Sequence, residues 1–513
     1  MVGVPPALDN PKPQPAAAPA TPSAGTNGDK LVIVMVGLPA RGKTFIGRKI
    51  ARYLEFFKGA PTAVFNAGEY RRKAMGTTHG GPTHDFFDPA NPEHHASRMQ
   101  FAKEALDDLK VFLGDSNPYN SQEEAGNPTG RVAVFDATNT TRARRSWLVQ
   151  ELLENRIVES KSHILFIESI CDDEQTIDIN VRSTKLRNPD YAGWDADKAV
   201  ADFTDRIQHY AARYEPIAAN VSVAKAAAAA AADAADGLAP ESPTKKSKRP
   251  RSASWHYTDE NELSYIKLIN GEQVVLNRIN GYLQTTIVQF TMNLHTIPHV
   301  IHMSRHGQSE YNLVKKLGGD SSITPHGVEY SIALAKWADE EVLAKNPHAR
   351  LWTSSLKRTK ETASRIRHDV LHEADGGQWI TMRPRQWNAL DELHAGVFDG
   401  MTYAEIEAAA PEEFAMRKAD KMTYRYPRGE SYFDVIQRLD PIVQELERMK
   451  DPVLIVAHQG ILRILYAYFQ GMPRERSPHL SMPLNTIKTI TPHAYGCDEV
   501  DTVLLKQIDV SSH

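Results

Sequence analysis

Six apolar residues, LVIVMV (31–36), run straight into GLPARGKT (37–44) and then into KTFIGRKIARYLEFF, and this junction limits the possible folds more than any other stretch. A strand-length apolar run, a G-x-x-x-x-G-K-[ST] loop and a helical pattern, in that order, wrap backbone N–H groups around a phosphate at a helix N-terminus. In such a loop Gly37 and Gly42 let the backbone close, Lys43 reaches the β- and γ-phosphates of ATP, and Thr44 binds Mg²⁺. Two further apolar strands, RVAVFDATN and SHILFIESIC, alternate with helical patterns, so the expected fold is α/β with a doubly wound, mainly parallel sheet. Asp136, ending VAVFD, falls where a metal-side or nucleophile-polarising carboxylate is expected. Arg71, Arg72, Arg98, Arg144 and Lys185 supply the positive charge an acidic acceptor needs, and leave a nucleotide, a sugar phosphate or a polynucleotide end open.

A second α/β pattern runs from HVIHMSRHG through DPVLIVAHQG. His306 follows an apolar strand beside Arg305, with Asn312 soon after; His458 ends another strand, and Arg358 in WTSSLKRTKET occupies a comparable strand-to-helix position. Two histidines and two arginines at strand ends make a pocket for a phosphoryl group, with one imidazole attacking phosphorus. Glu392 in ALDELHAG is the candidate general acid for the leaving oxygen.

At 513 residues the chain is too long for one ordinary core, and two large domains are expected. Its net charge of −4 gives no support for binding nucleic acid or a membrane surface. Two cysteines, Cys171 and Cys497, imply neither a disulfide framework nor a zinc site. With no signal pattern and no apolar run near the roughly 20 residues that span a bilayer, the expectation is a soluble, cytoplasmic protein. Residues 1–29 read as a disordered Pro- and Ala-rich tail, 30–220 as the first domain with an inserted loop near 114–130, and 221–260 as an Ala-rich and basic mobile insertion. Residues 261–298 read as a connection, 299–500 as the second domain and 501–513 as a C-terminal segment.

GLPARGKT, FNAGEYRR, HDFFDP, FDATNTTRARR, RHGQSEYN, GGDSSITPHG and YRYPRGESYFDVIQRL together resemble the 6-phosphofructo-2-kinase/fructose-2,6-bisphosphatase family. The resemblance implies a P-loop kinase domain followed by a histidine phosphatase, phosphoglycerate mutase-like α/β domain. It implies transfer of the ATP γ-phosphoryl group to the 2-hydroxyl of fructose 6-phosphate, and hydrolysis of fructose 2,6-bisphosphate through a phosphohistidine. Lys43, Thr44 and Asp136 would then serve ATP-Mg²⁺, and Lys185 the transferring phosphoryl charge. Arg71, Arg72, Arg98, Arg144 and Arg206 match family contacts to the sugar phosphate. In the second half His306 would accept the phosphoryl group, Glu392 would protonate the sugar oxygen, and Arg305, Arg358, Asn312 and His458 would hold the phosphoryl. Gly318, Tyr403, Arg417, Lys421, Tyr432, Gln459 and Arg463 match the remaining substrate set, and a homodimer is implied. Ser304 and Gln308 depart from the Cys and Glu common in the family, but with Lys43, Asp136, Lys185 and His306 present both activities are expected. The alternative is that one activity survives and the other half regulates it.

KRPRSAS places Arg249 and Arg251 three residues before Ser252 and Ser254, an arrangement suited to a basophilic protein kinase. A polynucleotide kinase-phosphatase would also join the two chemistries, but interleaved basic and aromatic runs are missing. A non-enzymatic regulatory protein is disfavoured because both the loop lysine and the nucleophilic histidine are retained.

Overall fold

The computed structural model describes residues 30–506, apart from 76–83, 89–90, 115–129, 183–188, 192, 219–257, 296, 373, 375 and 494–495. The expected tail, nearly all of the 114–130 loop and most of the 221–260 insertion, with Ser252 and Ser254, lie outside the described residues, as does Lys185.

The first sheet contains β1 (Leu31–Val36), β2 (Thr62–Asn66), β3 (Val132–Asp136), β4 (Ile164–Ile170), β5 (Ser264–Ile269) and β6 (Gln273–Asn277), in the order β2-β3-β1-β4-β5-β6. Every pairing is parallel except β5–β6. Successive side chains of β1 face opposite sides of the sheet, and both sides are covered. Leu31, Ile33 and Met35 join Ile46, Ile50 and Leu54 of helix α1 (Lys43–Lys58), whereas Val32, Val34 and Val36 join Leu106, Leu109 and Phe166. This double burial explains why the strand reads as an unbroken apolar run. Further helices of this half are α2 (Ala67–Met75), α3 (Pro92–Leu113), α4 (Arg142–Glu154) and α5 (Ala196–Ala211).

The 261–298 segment corrects an expectation. Rather than only connecting two domains, it adds β5 and β6 to the first sheet before helix α6 (Tyr282–Thr291). Asn270 and Gly271, at φ 53° and 69°, form the tight left-handed turn that lets β6 fold back on β5.

The second sheet contains β7 (Ile301–Arg305), β8 (Arg350–Thr353), β9 (Pro384–Gln386), β10 (Val453–Ala457), β11 (Thr486–His493) and β12 (Gly496–Val503), ordered β9-β8-β10-β7-β11-β12. Its first four strands are parallel, and β11 and β12 are antiparallel. Helices α7 (Pro325–Trp337), α8 (Tyr432–Arg448) and α9 (Gln459–Gln470) flank it. One apolar cluster joins the halves, with Ile50, Phe56 and Phe290 packed in the same core as Leu439, Leu446 and Tyr468. Both sheets present the C-terminal ends of their parallel strands as rims, where α/β folds build sites.

Candidate active sites

On the first rim, Gly37 takes φ 135° and a Cβ there would lie 2.4 Å from Ser169 O, so the loop can pass only as glycine. Gly42, at φ 75°, caps α1 and turns Lys43 and Thr44 into its first turn. Lys43 is buried and donates from Nζ to Leu38 O at 2.5 Å. Asp136 ends β3 opposite Asn66 of β2, and Asn66 Nδ2 donates to its carboxylate. Lys43, Thr44 and Asp136 all line a cavity of about 870 Å³.

That cavity also receives Arg71, Arg72, Arg98, Arg144 and Arg206. Arg71 donates to Asp190, Arg98 to Phe86 O, and Arg206 stacks 3.7 Å from the Phe87 ring centroid. Arg144 lies 4.5 Å from the Trp147 ring centroid, and burial pushes its guanidinium down to about 10. Pro298, His299 and Pro492 bring a wall from the second half of the chain.

On the second rim, His306 follows β7 and His458 follows β10, adjacent parallel strands, so their rings meet with centroids 5.2 Å apart. His306 Nδ1 donates to Gly307 O at 2.8 Å, because a carbonyl can only accept; its lone pair is therefore on Nε2. Burial, then the charges of Arg358 and Arg305, hold this imidazole well below the usual histidine range. Arg358 Nε donates to His458 Nδ1 at 3.2 Å, which puts the His458 proton on Nε2, donating to Ser354 Oγ at 2.7 Å. Burial, followed by the Arg358 charge, lowers His458 similarly. Arg305 is anchored on Met482 O at 2.8 Å, and burial brings it down to about 10. Asn312 closes a capping box with Ser309 at the start of the helix Glu310–Leu313.

Glu392 accepts from Leu393 N at 2.9 Å and from Gly460 N, at the start of α9, at 3.3 Å. Gly318, at φ 63°, passes so near Asp399 that a Cβ would lie 1.5 Å from its Oδ1. Arg417 donates to Tyr403 and, at 2.6 Å, to Tyr426. Burial raises Tyr403 and Tyr432, and it lowers Lys421 together with the charges of Arg417 and Arg463. Arg463 is held by Leu480 O, and Gln459 Nε2 is buried with no hydrogen-bond partner among the described residues.

Sequence reasoning missed four residues that wire these sites. Asn66 holds Asp136, Asp190 gathers arginines, and Ser354 fixes the His458 tautomer. Arg438 of α8 bonds the carbonyls of Ala389 and Asp391, pinning the Glu392 loop. Asn66, Ser354 and Arg438 lie inside the stretches FNAGEYRR, WTSSLKRTKET and YRYPRGESYFDVIQRL, but nothing in a linear motif marks a residue that acts through another. Among the described residues no cluster of three metal-ligating acidic, histidine or cysteine side chains occurs, and no helix is long and apolar enough to cross a membrane.

The 6-phosphofructo-2-kinase family matches residues 20–226, and branch 1 of the histidine phosphatase superfamily matches residues 301–503. A 6-phosphofructo-2-kinase/fructose-2,6-bisphosphatase of Aquarana catesbeiana is 40% identical over 483 residues, spanning 94% of this chain and 86% of the relative. Its counterpart in Gallus gallus is 39% identical with the same spans. Among solved structures, Mycobacterial hydrolase 1 is 26% identical with a TM-score of 0.32, covering 41% of this chain and 100% of that one. Identity at this level, sustained across both catalytic halves and most of the relatives' length, places the chain in the 6-phosphofructo-2-kinase/fructose-2,6-bisphosphatase family.

Proposed function

We propose that the chain is a bifunctional enzyme that makes fructose 2,6-bisphosphate from ATP and fructose 6-phosphate and hydrolyses it back to fructose 6-phosphate and phosphate, thereby setting the balance of glycolysis and gluconeogenesis. The observation that carries this reading is the coexistence, on one chain, of a phosphate loop opening onto an arginine-lined cavity and a paired-histidine pocket with a neutral imidazole.

In the first half, the loop and Lys43 hold the ATP phosphates while Arg71, Arg72, Arg98, Arg144 and Arg206 hold the sugar phosphate. The sugar 2-hydroxyl oxygen attacks the γ-phosphorus, the bond from that phosphorus to the β,γ-bridging oxygen breaks as ADP leaves, and the hydroxyl proton passes to solvent water. Catalysis is then mainly positioning and charge neutralisation, with Lys185 assigned to the transferring group. A buried carboxylate and a hydroxyl on one cavity are hard oxygen donors suited to a hydrated dication, so Thr44 and Asp136 would hold Mg²⁺, which neutralises phosphate charge when bound.

In the second half, His306 Nε2 attacks the 2-phosphoryl phosphorus, the P–O bond to the sugar breaks, and Glu392 delivers its proton to the departing oxygen. Arg305, Arg358, Asn312 and His458 hold the phosphoryl, while Gly318, Tyr403, Arg417, Lys421, Tyr432, Gln459 and Arg463 hold the sugar bisphosphate. Water, deprotonated by Glu392, then cleaves phosphohistidine and releases phosphate.

The edge strand β6, with Val275 and Leu276 both exposed, supports a homodimer, which sedimentation of the full chain tests. We assign the protein to the cytoplasm, and Ser252 and Ser254 to a basophilic protein kinase. Phosphopeptide mass spectrometry under changing nutrient supply would overturn the latter by finding both serines always unmodified.

The decisive experiment assays both reactions in wild type, Lys43→Ala and His306→Ala. Lys43→Ala should abolish only synthesis and His306→Ala only breakdown. A wild type that performs one reaction would leave the silent half a regulatory role.

A further inference from the structure

Asp190 sits in the short turn Pro189–Tyr191 and is only 5% exposed, yet among the described residues three cations converge on it. Its Oδ2 is bonded by Arg71, lies 3.8 Å from Arg72 Nη1 and 3.9 Å from Arg206 Nη1. Arg71 and Arg72 come from α2 and Arg206 from α5, so one carboxylate oxygen draws cations from two helices to one point. The Phe87 ring lies 3.7 Å from the Arg206 guanidinium and 5.3 Å from that of Arg71, which limits how far either can swing.

Three guanidinium groups this close repel one another, and without a central negative charge they would splay toward water. With it, the three guanidinium groups and the carboxylate, counted among the described residues, leave an excess of positive charge suited to a phosphate-monoester dianion. We infer that Asp190 is a positioning residue for the sugar phosphate: its carboxylate keeps Arg71, Arg72 and Arg206 convergent, so that the phosphate binds without reorganising them. The gain is in preorganisation, and it belongs to binding rather than to the transfer step. This inference rests on the kinase reading above.

The test is Asp190→Asn in the full chain, with fructose 6-phosphate kinetics, ATP kinetics and the phosphatase assay run together. The expected result is a KM for fructose 6-phosphate raised about tenfold or more, the scale of a charge-assisted hydrogen-bond network, with kcat and the KM for ATP changed less than about threefold. Phosphatase turnover should be unchanged. Asp190→Glu returns the charge and should recover most of the lost affinity. An unchanged KM, a fall confined to kcat, or failure of the Glu variant to recover affinity would overturn the inference. Should Asp190→Asn lose both activities through misfolding, Asp190→Glu decides: a rise in the sugar-phosphate KM above about threefold, with phosphatase intact, would overturn it. Calorimetric binding of inorganic phosphate to wild type and Asp190→Asn separates this proposal from the substrate assignment. Weaker phosphate binding in the variant supports the role of Asp190 even if fructose 6-phosphate proves not to be the acceptor, and equal binding sinks it.

Discussion

At the residue scale, the phosphatase pocket is set by where two protons sit. Gly307 O accepts a hydrogen bond from the Nδ1–H of His306, and Arg358 occupies Nδ1 of His458, so the free nitrogen of one ring and the donor of the other are fixed in the protein alone. Burial and the two arginines keep the His306 imidazole, the proposed nucleophile, neutral well below the ordinary histidine pKa. Consequently kcat/KM for fructose 2,6-bisphosphate should show no imidazole break near 6.5 between pH 8 and pH 6. A midpoint near 6.5 in the ring-proton resonances of His306 in substrate-free enzyme would contradict that neutral state, whereas a break that follows only the substrate's phosphates, whose second pKa is about 6, would not. Arg358→Lys keeps a charge but loses the Nε donor, and should lower phosphatase kcat by about tenfold or more while kinase turnover is unchanged. These principal residues were legible because each stands in a short motif at a strand end. Asp190 and Arg438 were not, because their partners are brought to them only by folding: Arg438 touches carbonyls of a loop that precedes it by a whole segment of chain.

At the element scale, each site is a rim of strand ends closed by a helix N-terminus, α1 in one half and α9 in the other. The first turn of α9 carries Gly460, whose backbone N–H holds Glu392 and whose missing side chain leaves room for it. A Cβ at Gly460 would lie 2.6 Å from Glu392 Oε1. Gly460→Ala should therefore displace Glu392, the proposed acid, and cut phosphatase kcat by about a hundredfold, the scale of a general acid's contribution, even though alanine favours the helix. Kinase turnover and the thermal midpoint should change little, so the paired assay and a melting curve distinguish displacement from unfolding. The parallel strands β1, β3, β4, β7 and β10 were readable as apolar runs because both faces are covered. β5 and β6 were not, since β6 lies at the sheet edge with mixed exposure and carries no such run. The Asn270-Gly271 pair between the strand-like segments SYIKLI and QVVLN was the signal that could have revealed them.

At the scale of the whole molecule, the two halves are joined by the helix that follows the phosphate loop. Along α1, Lys49 meets Glu447 of α8 at 2.8 Å, Arg52 reaches Phe469 O at 2.8 Å, and Tyr53 and Lys58 both reach Asp440. Acid should loosen this assembly. His299 and His302 are pushed by burial to about 4, and His306 and His458 also lie well below 6.5. Between those values and 6.5 the unfolded chain binds protons that the folded one refuses, so stability falls as pH falls, by up to about 1.4 kcal/mol per pH unit for each imidazole. Urea midpoints should therefore drop steadily from pH 7 to pH 5. Glu447 acts in the same direction at lower pH: burial alone would raise it, but Lys49 outweighs burial and holds it below the usual carboxylate range. Its contribution is present above the unfolded carboxylate pKa and lost as pH falls through the folded one. Removing that charge by Glu447→Gln strands the Lys49 ammonium in an apolar interface and should cost about 3–5 kcal/mol. Replacing both partners, Lys49→Met with Glu447→Leu, should cost far less, because no unpaired charge remains. Since α1 begins at the kinase loop and α8 at Tyr432, Glu447→Gln should weaken both activities together, with the double variant restoring both. If the double variant were as unstable as the single one, packing rather than charge pairing would be what joins the halves.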